Sequence, residues 1–237
     1  MQTIHTDIYS HAPSLLETFH GLKGIIFDCD GVLLDSRKAN IAFYNYIRDC
    51  LDLPPLLAEQ EEYVHMATFE QALNYIVPEE QRGHIPDLLD SIESYLDYYS
   101  LLTVEEGLLD MLDWLKLQDI HLGICTNRID PMDGLLGRFK LNGYFQPIQT
   151  ASNSQPKPHP DGLLQVLRRW NLSPAEVAFI GDSKVDESAA KGAGVPFWAF
   201  KNETLNAALH IPGFSTLHGW LLEYAEKFDN QVQIHRF

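Results

Sequence analysis

Residues 24–36 read GIIFDCDGVLLDS, and this stretch decides the fold that the sequence predicts. Its first four residues form a continuous apolar run, which is typical of a parallel strand buried on both faces. Asp28 and Asp30 follow at the carboxyl end of this strand, where open α/β sheets bind ligands, and Gly31 comes next. A simple turn is the alternative interpretation, because Asp and Gly favour turns for conformational reasons.

Further apolar runs lie downstream and read as additional strands of the same sheet. They span residues 121–125, 176–180 and 195–200. Residues 144–150 form a weaker candidate, because Pro147 cannot donate a ladder hydrogen bond. Continuous rather than alternating apolar runs again indicate parallel strands that are covered on both sides.

Segments with helical periodicity separate these runs. Apolar residues recur at helical spacing over 163–170 and again over 217–228, where Ser215 or Thr216 is the expected N-cap. Strands that alternate with amphipathic helices are typical of a doubly wound α/β fold. We therefore expect a Rossmann-like parallel sheet with helices on its faces.

The region after the first strand breaks this alternation. Over residues 39–50 and 88–99 the apolar residues fall on one helical face, and no convincing strand lies between the two segments. We therefore predict an all-helical domain at 36–102, inserted into an α/β core made of 1–35 and 103–237.

Polar side chains follow the later predicted strands as well. Thr126 and Asn127 offer a hydroxyl and an amide to phosphate oxygens, although strand-end capping explains them equally well. Lys157 lies between two prolines, and an ammonium held near two aspartates would stabilise a transferring phosphoryl group. Asp182, with Asp186 four residues later, suits Mg²⁺, but Asp182 or the residue after it is also a plausible helix N-cap. One crevice at the carboxyl edge of the sheet can collect all of these groups.

The composition narrows the classes of partner. The formal net charge of −16 argues against nucleic acid or an anionic membrane as the main partner. No apolar stretch approaches the roughly 18 residues of a membrane helix, and the first residues lack the pattern of a secretory signal. Three cysteines without metal spacing make a poor disulfide framework, so the expected location is the cytoplasm.

Taken together, the motifs resemble those of the haloacid dehalogenase-like superfamily, in its phosphatase branch. The resemblance covers about residues 24–200. The insertion at 36–102 is similar to the helical cap of phosphoglycolate phosphatase-like and β-phosphoglucomutase-like members. The motif residues are, in order, Asp28 to Val32, Thr126 with Asn127, Lys157, and Gly181 to Ser183 with Asp186.

The resemblance implies a Mg²⁺ site built from aspartates. Asp28 would be the nucleophile and a metal ligand, and Asp30 would be the general acid and base, with its backbone carbonyl on the metal. Asp182 would complete the protein's share of the metal ligands. Asp186 would either reach the metal through water or orient Lys157. Cap closure would then exclude water before phosphoryl transfer.

The resemblance also implies how the substrate is held. Thr126 and Asn127 would bind the phosphoryl group, and Lys157 would neutralise its charge. The implied function is hydrolysis of a small-molecule phosphate ester through an aspartyl-phosphate. The sequence specifies neither which ester is used nor the oligomeric state.

Two alternative functions stay open, a mutase and a non-catalytic scaffold, and a mechanism that uses a cysteine nucleophile is disfavoured. A sugar-phosphate mutase of the same superfamily would share Asp28 and Asp30, and a non-catalytic scaffold would keep the fold alone. A scaffold would have no chemical need to keep Asp28, Asp30, Lys157 and Asp182 together. A cysteine nucleophile is disfavoured, because Cys29 has acidic neighbours and both Cys29 and Cys125 suit buried positions.

Overall fold

The structure, a computed structural model, describes residues 15–66, 69–91, 100–129 and 131–234. These residues form two compact units. The first unit takes in the described parts of Met1–Asp28, Glu106–Asp130 and Gly143–Phe237. The second takes in the described parts of Cys29–Glu105 and Pro131–Asn142.

Strands and helices are numbered along the chain. The strands are β1 (Gly24–Phe27), β2 (Leu34–Asp35), β3 (Thr103–Val104), β4 (His121–Cys125), β5 (Ile148–Gln149), β6 (Val177–Gly181), β7 (Phe197–Phe200) and β8 (Leu209–Ile211). The α-helices are α1 (Leu15–Phe19), α2 (Arg37–Cys50), α3 (Ala58–Met66), α4 (Phe69–Ile76), α5 (Ile85–Ser91), α6 (Leu108–Leu117), α7 (Met132–Arg138), α8 (Asp161–Trp170), α9 (Lys184–Ala193) and α10 (Phe214–Ile234). Short 3₁₀ helices span Glu79–His84 and Pro174–Glu176.

A parallel sheet forms the centre of the first unit, with strand order β5-β4-β1-β6-β7-β8. In the central strand β1, Ile25 lies opposite Leu122 of β4 and Ala178 of β6. Ile25, Ile26 and Phe27 are fully buried, as the continuous apolar run predicts. The chain adds strands on one side of β1 and then on the other, so the predicted doubly wound α/β fold is confirmed.

The ends of the sheet differ from the prediction. Within the weak candidate at 144–150 only Ile148–Gln149 is a strand, because the ladder begins after Pro147, which has no amide hydrogen to donate. The Pro147 carbonyl still accepts a hydrogen bond of 3.1 Å from the Ile124 amide. Strand β8 was not predicted. It pairs with the edge of β7 that faces away from β6, where Trp198 lies opposite Leu209.

Helices cover both faces of this sheet. Helices α8 and α9 pack together over β4, β5, β6 and β7, and their shared core includes Leu163, Val166, Phe179 and Ala190. Helices α1, α6 and α10 pack together as the other layer. Right-handed crossovers that run in opposite directions from β1 place helices on opposite faces. In the described part of the chain, no helix combines the length and apolarity needed to cross a bilayer.

The predicted start of the last helix is wrong by two or three residues, because an N-cap at Ser215 or Thr216 would place the first helical residue at 216 or 217. Helix α10 begins at Phe214, so Ser215 and Thr216 lie inside its first turn rather than at its N-cap. The cause is Phe214 itself, which is fully buried and stacks on Phe200 with ring centroids 4.5 Å apart. Burying this aromatic ring fixes where the helix starts.

The second unit is helical apart from a short antiparallel ribbon, in which Leu34 of β2 pairs with Val104 of β3. Helix α2 confirms the prediction for 39–50, and Phe43 and Ile47 pack in a core with Leu73 of α4. Helix α5 covers the beginning of the predicted stripe at 88–99, whose remaining residues lie outside the described ones. The assignment of 36–102 as a cap domain stays a prediction.

Candidate active site

Three strands of the first unit end at the same edge of the sheet and present polar residues there. Asp28 follows β1, Thr126 follows β4 and Asp182 follows β6. The Asp28 amide donates to the Ile180 carbonyl at 2.9 Å, so the ladder extends up to the predicted nucleophile. The β1–β6 pair is also where the winding of the sheet reverses, which is the position at which ligands bind in this class of fold.

A buried lysine joins two of the predicted carboxylates. Lys157 Nζ lies 2.7 Å from Asp28 Oδ1 and 2.5 Å from Asp186 Oδ1. The side chains of Lys157, Asp28 and Asp186 are only 3%, 10% and 0% exposed. The ammonium also lies over the Phe179 ring, 5.5 Å from its centroid. Buried charges are expected to be paired, and here one cation serves two anions.

The loop that carries Lys157 is held by Asn127. Asn127 Nδ2 donates to the Lys157 carbonyl at 2.9 Å, and the Lys157 amide donates to Asn127 Oδ1 at 2.7 Å. Thr126 is buried, and its Oγ1 accepts a hydrogen bond of 3.3 Å from the Arg128 amide. The structure therefore shows a structural use for Asn127 that the sequence did not suggest, and the phosphate-binding role of both residues stays a prediction.

Asp186 is held on its other oxygen by the start of α9. Ser183 is the N-cap of this helix, and its amide donates to Asp186 Oδ2 at 3.1 Å. The Ser183 hydroxyl donates to the same oxygen. The sequence left two roles for Asp186, binding the metal through water or orienting Lys157. The direct contact between Asp186 and Lys157 is the one that the structure contains. Gly181 allows this arrangement, because a Cβ atom there would lie 2.5 Å from Asp186 Cβ.

The charge balance of the site fits a divalent cation. Carboxylate oxygens of Asp28, Asp182 and Asp186 lie within 4.8 Å of one another. Burial, with the charges of Asp186 and Asp28, raises the pKa of Asp182 well above its ordinary value. Burial lowers the pKa of Lys157, but the charges of Asp186 and Asp28 outweigh it and raise that pKa above the usual range. Three carboxylates facing one ammonium leave an excess of negative charge, and oxygen donors of this kind suit Mg²⁺.

Asp30, the predicted general acid and base, belongs to the second unit. It is half-buried and forms an isolated bridge with Leu34. The Gly31 amide donates to the Leu34 carbonyl at 2.8 Å, with Gly31 at a φ of 75°. This left-handed conformation favours glycine and turns the chain directly after Asp30.

The cysteines near the site have the character of core residues. Cys29 and Cys125 are both buried. Burial raises the pKa of the Cys125 thiol to about 12, so it carries its proton at neutral pH. This protonation agrees with the expectation that Cys125 is not a nucleophile.

One residue of the site was missed by the sequence analysis. Asn202, in the loop after β7, donates from Nδ2 to the Asp182 carbonyl at 2.8 Å. A lone asparagine that follows a strand carries no distinguishing signal, because such residues are common in turns. Only the fold brings it next to Asp182.

The chain matches a family model described as haloacid dehalogenase-like hydrolase over residues 25–200. It is 30% identical over 208 residues to the phosphoglycolate phosphatase of Escherichia coli (strain K12), covering 76% of this chain and 82% of that protein. A subfamily IA, variant 1 hydrolase structure from Geobacter sulfurreducens is 37% identical with a TM-score of 0.70, covering 83% of this chain and 95% of that one. A β-phosphoglucomutase structure from Clostridium difficile has a TM-score of 0.67 at 17% identity, covers 87% of this chain and 98% of that one, and shows a shared fold.

Proposed function

The chain is a phosphatase of the haloacid dehalogenase-like hydrolase family, and from this premise we propose that it hydrolyses a small-molecule phosphate monoester through an aspartyl-phosphate on Asp28. One observation carries the proposal: Lys157 is buried between Asp28 and Asp186, with the Asp182 carboxylate alongside. Such an array is costly to bury and has an evident use in binding a phosphoryl group.

The carboxylates of Asp28 and Asp182, with Asp186 close by, would hold Mg²⁺. We propose that the backbone carbonyl of Asp30 is a further ligand. The bound ion would supply positive charge that offsets the carboxylates and the phosphoryl oxygens. Because Lys157 and Ser183 already engage both oxygens of Asp186, we propose that this residue acts mainly by orienting Lys157. The Asp28 and Asp182 carboxylates that would bind the ion have short side chains and directly follow strands β1 and β6. Both features limit how far the carboxylates can move.

In the first half of the proposed reaction, a carboxylate oxygen of Asp28 attacks phosphorus. A bond forms between Asp28 and phosphorus as the bond to the ester oxygen breaks. Asp30 donates a proton to that departing oxygen, which leaves as an alcohol. Lys157 stays protonated throughout, consistent with its raised pKa, and stabilises the charge on the transferring group.

The second half returns the enzyme to its starting state. Asp30, now ionised, takes a proton from water, and the resulting oxygen attacks the phosphorus of the aspartyl-phosphate. The bond between phosphorus and Asp28 breaks, and inorganic phosphate leaves. Thr126 and Asn127 are proposed to hold the phosphoryl group in place during both transfers.

Phosphoglycolate is the first substrate to test, because the relatives at about 30% identity are phosphoglycolate phosphatases. We propose selection within the class of small phosphate esters, in a cytoplasmic setting, with the helical segment 36–102 as the cap that provides specificity. These finer assignments rest on the resemblance to the relatives.

Two arginines of the second unit bear on the mutase alternative. A mutase needs free cations there to reorient a bisphosphate. Arg48 Nε donates to the Pro54 carbonyl at 2.6 Å, and Arg82 Nε donates to the Val77 carbonyl at 3.0 Å. These two guanidinium groups already hold the backbone of the unit, which counts against them as the cations that a mutase would use. The non-catalytic scaffold is disfavoured for the same reason as before, since it would not need a buried lysine between two carboxylates.

The proposal is tested by measuring phosphate release from phosphoglycolate and from an aryl phosphate, with Mg²⁺ and with chelator. Asp28→Asn removes the nucleophile while keeping the size of the side chain. We expect the wild type to release phosphate with Mg²⁺ but not with chelator. In the variant we expect the rate of release to fall by at least about a thousandfold.

Asp119→Asn is the matched control, because it is the same substitution at an exposed site. Asp119 has a φ of 56°, a conformation that Asn adopts readily, so the fold is preserved. This control is expected to keep wild-type release. Undiminished release by Asp28→Asn would refute the aspartyl-phosphate mechanism.

A further inference from the structure

We propose that Asn202 is a positioning residue for the Asp182 carboxylate and that it acts through the peptide bond between Asp182 and Ser183. The inference deepens the proposed function and rests on it, since Asp182 is there a ligand of Mg²⁺. It assigns a task to a side chain that lies outside all four motifs of the sequence.

The peptide unit between Asp182 and Ser183 is hydrogen-bonded at both of its ends. Its carbonyl accepts from Asn202 Nδ2 at 2.8 Å, and its amide donates to Asp186 Oδ2 at 3.1 Å. In a planar trans peptide the C=O and N–H bonds point in opposite directions. Bonds at both ends therefore fix the rotation of the whole plane.

The orientation of this plane constrains the direction of the Asp182 side chain. The paired residues of β6 end at Gly181, opposite Ala199, so Asp182 lies one residue beyond the described ladder with β7. Beyond that point the Asn202 amide takes over the role of a ladder bond. Rotation of the plane would turn the Cα of Asp182 and move its carboxylate relative to Asp28 and Asp186.

Asn202 is itself held in a single orientation. Its Oδ1 accepts from the Thr204 amide at 3.1 Å and from the Thr204 hydroxyl at 2.7 Å. Because these donors fix which end of the amide is the oxygen, the NH₂ group must face Asp182. The Asn202 carbonyl also lies 3.3 Å from His210 Nδ1 on β8. The unpredicted edge strand thus helps to anchor the loop.

The test is calorimetric titration of the metal-free protein with Mg²⁺, which measures the dissociation constant without relying on turnover. Removing a partner that orients a metal ligand typically weakens metal binding by about 10–100-fold. We therefore expect Asn202→Ala to raise the Kd for Mg²⁺ by about tenfold or more. Circular dichroism in chelator establishes that the variant is folded.

Two further variants complete the experiment. Asn206→Ala is the matched control, because Asn206 is exposed and its contact with Glu187 is made by the backbone amide, which Ala keeps. It is expected to bind Mg²⁺ like the wild type. Thr204→Val removes one of the donors that orient Asn202, and we expect a smaller increase in Kd.

A wild-type Kd in folded Asn202→Ala would overturn the inference. If Asn202→Ala does not fold, the Kd of Thr204→Val is used instead. A wild-type Kd in Thr204→Val would then overturn the inference. A wild-type protein that binds no Mg²⁺ contradicts the proposed metal site itself. The failure of the inference and the failure of the proposed function are therefore distinguishable.

Discussion

Lys157 shows how strongly single residues constrain this site. Its ammonium is almost wholly buried and pairs with Asp28 and Asp186. Replacing such a pair by apolar residues is often tolerated, but removing one partner leaves the other charges buried without compensation. The site is therefore stable only as a complete set of charges.

Lys157→Met is expected to lower the free energy of unfolding by about 3–5 kcal/mol, measured by urea denaturation in chelator. Added Mg²⁺ should recover part of this loss, because the proposed ion would offset the same excess of negative charge. Lys23→Met is the control: Lys23 pairs with Glu176 on the surface, and its loss should change stability little. Equal losses in the two variants would contradict the view that burial makes the Lys157 pairing essential.

The stability of the metal-free protein should depend on the ionisation of Asp182. Its pKa is raised in the folded state, so the folded protein holds a proton that the unfolded chain releases near its ordinary pKa of about 4. The native state then binds more protons than the unfolded one, and stability falls as the pH rises from about 4 through the raised pKa.

We expect this fall in chelator for the wild type and a smaller fall for Asp182→Asn, whose side chain does not ionise. The measurement is the free energy of unfolding from urea titrations across that pH range. Subtracting the two profiles removes the contributions of other groups. Identical profiles would show that Asp182 is not the group responsible.

Among the secondary-structure elements, α9 is tied most closely to the site. Its capping box, formed by Ser183 and Asp186, uses one of the site's own carboxylates. A second capping box, formed by Ser173 and Glu176, lies before β6 and has no site residue. The chain thus contains the same capping arrangement twice, once with and once without a carboxylate of the candidate site.

Ser183→Ala is expected to lower the free energy of unfolding by about 1 kcal/mol, the usual cost of losing a serine N-cap. It should also reduce kcat, because Asp186 loses the hydroxyl that holds its Oδ2 oxygen. Ser173→Ala should reduce stability but leave kcat unchanged. Steady-state kinetics and urea denaturation separate the two effects, and an unchanged kcat in Ser183→Ala would show that the cap is only structural.

Prediction from sequence succeeds for elements that are stable through their own composition. The apolar run of β1 specifies a buried strand, and the stripe over 39–50 specifies a helix. It fails where neighbours decide, as in β8, whose three residues pair only because β7 presents a free edge. The start of α10 is another such case, because Phe214 is drawn into the core by Phe200.

The candidate site divides in the same way. The motifs predict that Asp28, Lys157, Asp182 and Asp186 gather, because strand ends and their loops share one edge of the sheet. They do not reveal the hydrogen bonds of Asn127 to the Lys157 backbone, since a contact across 30 positions depends on the folded loops. Asn202 is hidden for the same reason.

For the molecule as a whole, the net charge of −16 acts on every anion that approaches. Phosphate esters are anions, so the overall field opposes their association with the protein. Salt shortens the range of this repulsion, from about 30 Å at 0.01 M to about 8 Å at 0.15 M. The field therefore has a measurable signature in the kinetics.

At saturating Mg²⁺ we expect kcat/KM for an anionic ester to rise as KCl increases over that range, with little change in kcat. The rise reflects faster encounter, whereas kcat reports steps after binding. A fall in kcat/KM would show instead that local cations attract the substrate more strongly than the overall charge repels it.

The short ribbon of β2 and β3 has a consequence for the history of the chain. Asp35 pairs with Thr103, so the two ends of the segment between them lie next to each other. A segment with adjacent ends can be replaced by another of different length without stretching the strands on either side. Recombination at these two points would exchange one helical module for another while the inherited chemistry at Asp28 stayed intact. Since this segment is the proposed specificity-determining cap, such an exchange would be expected to change substrate preference.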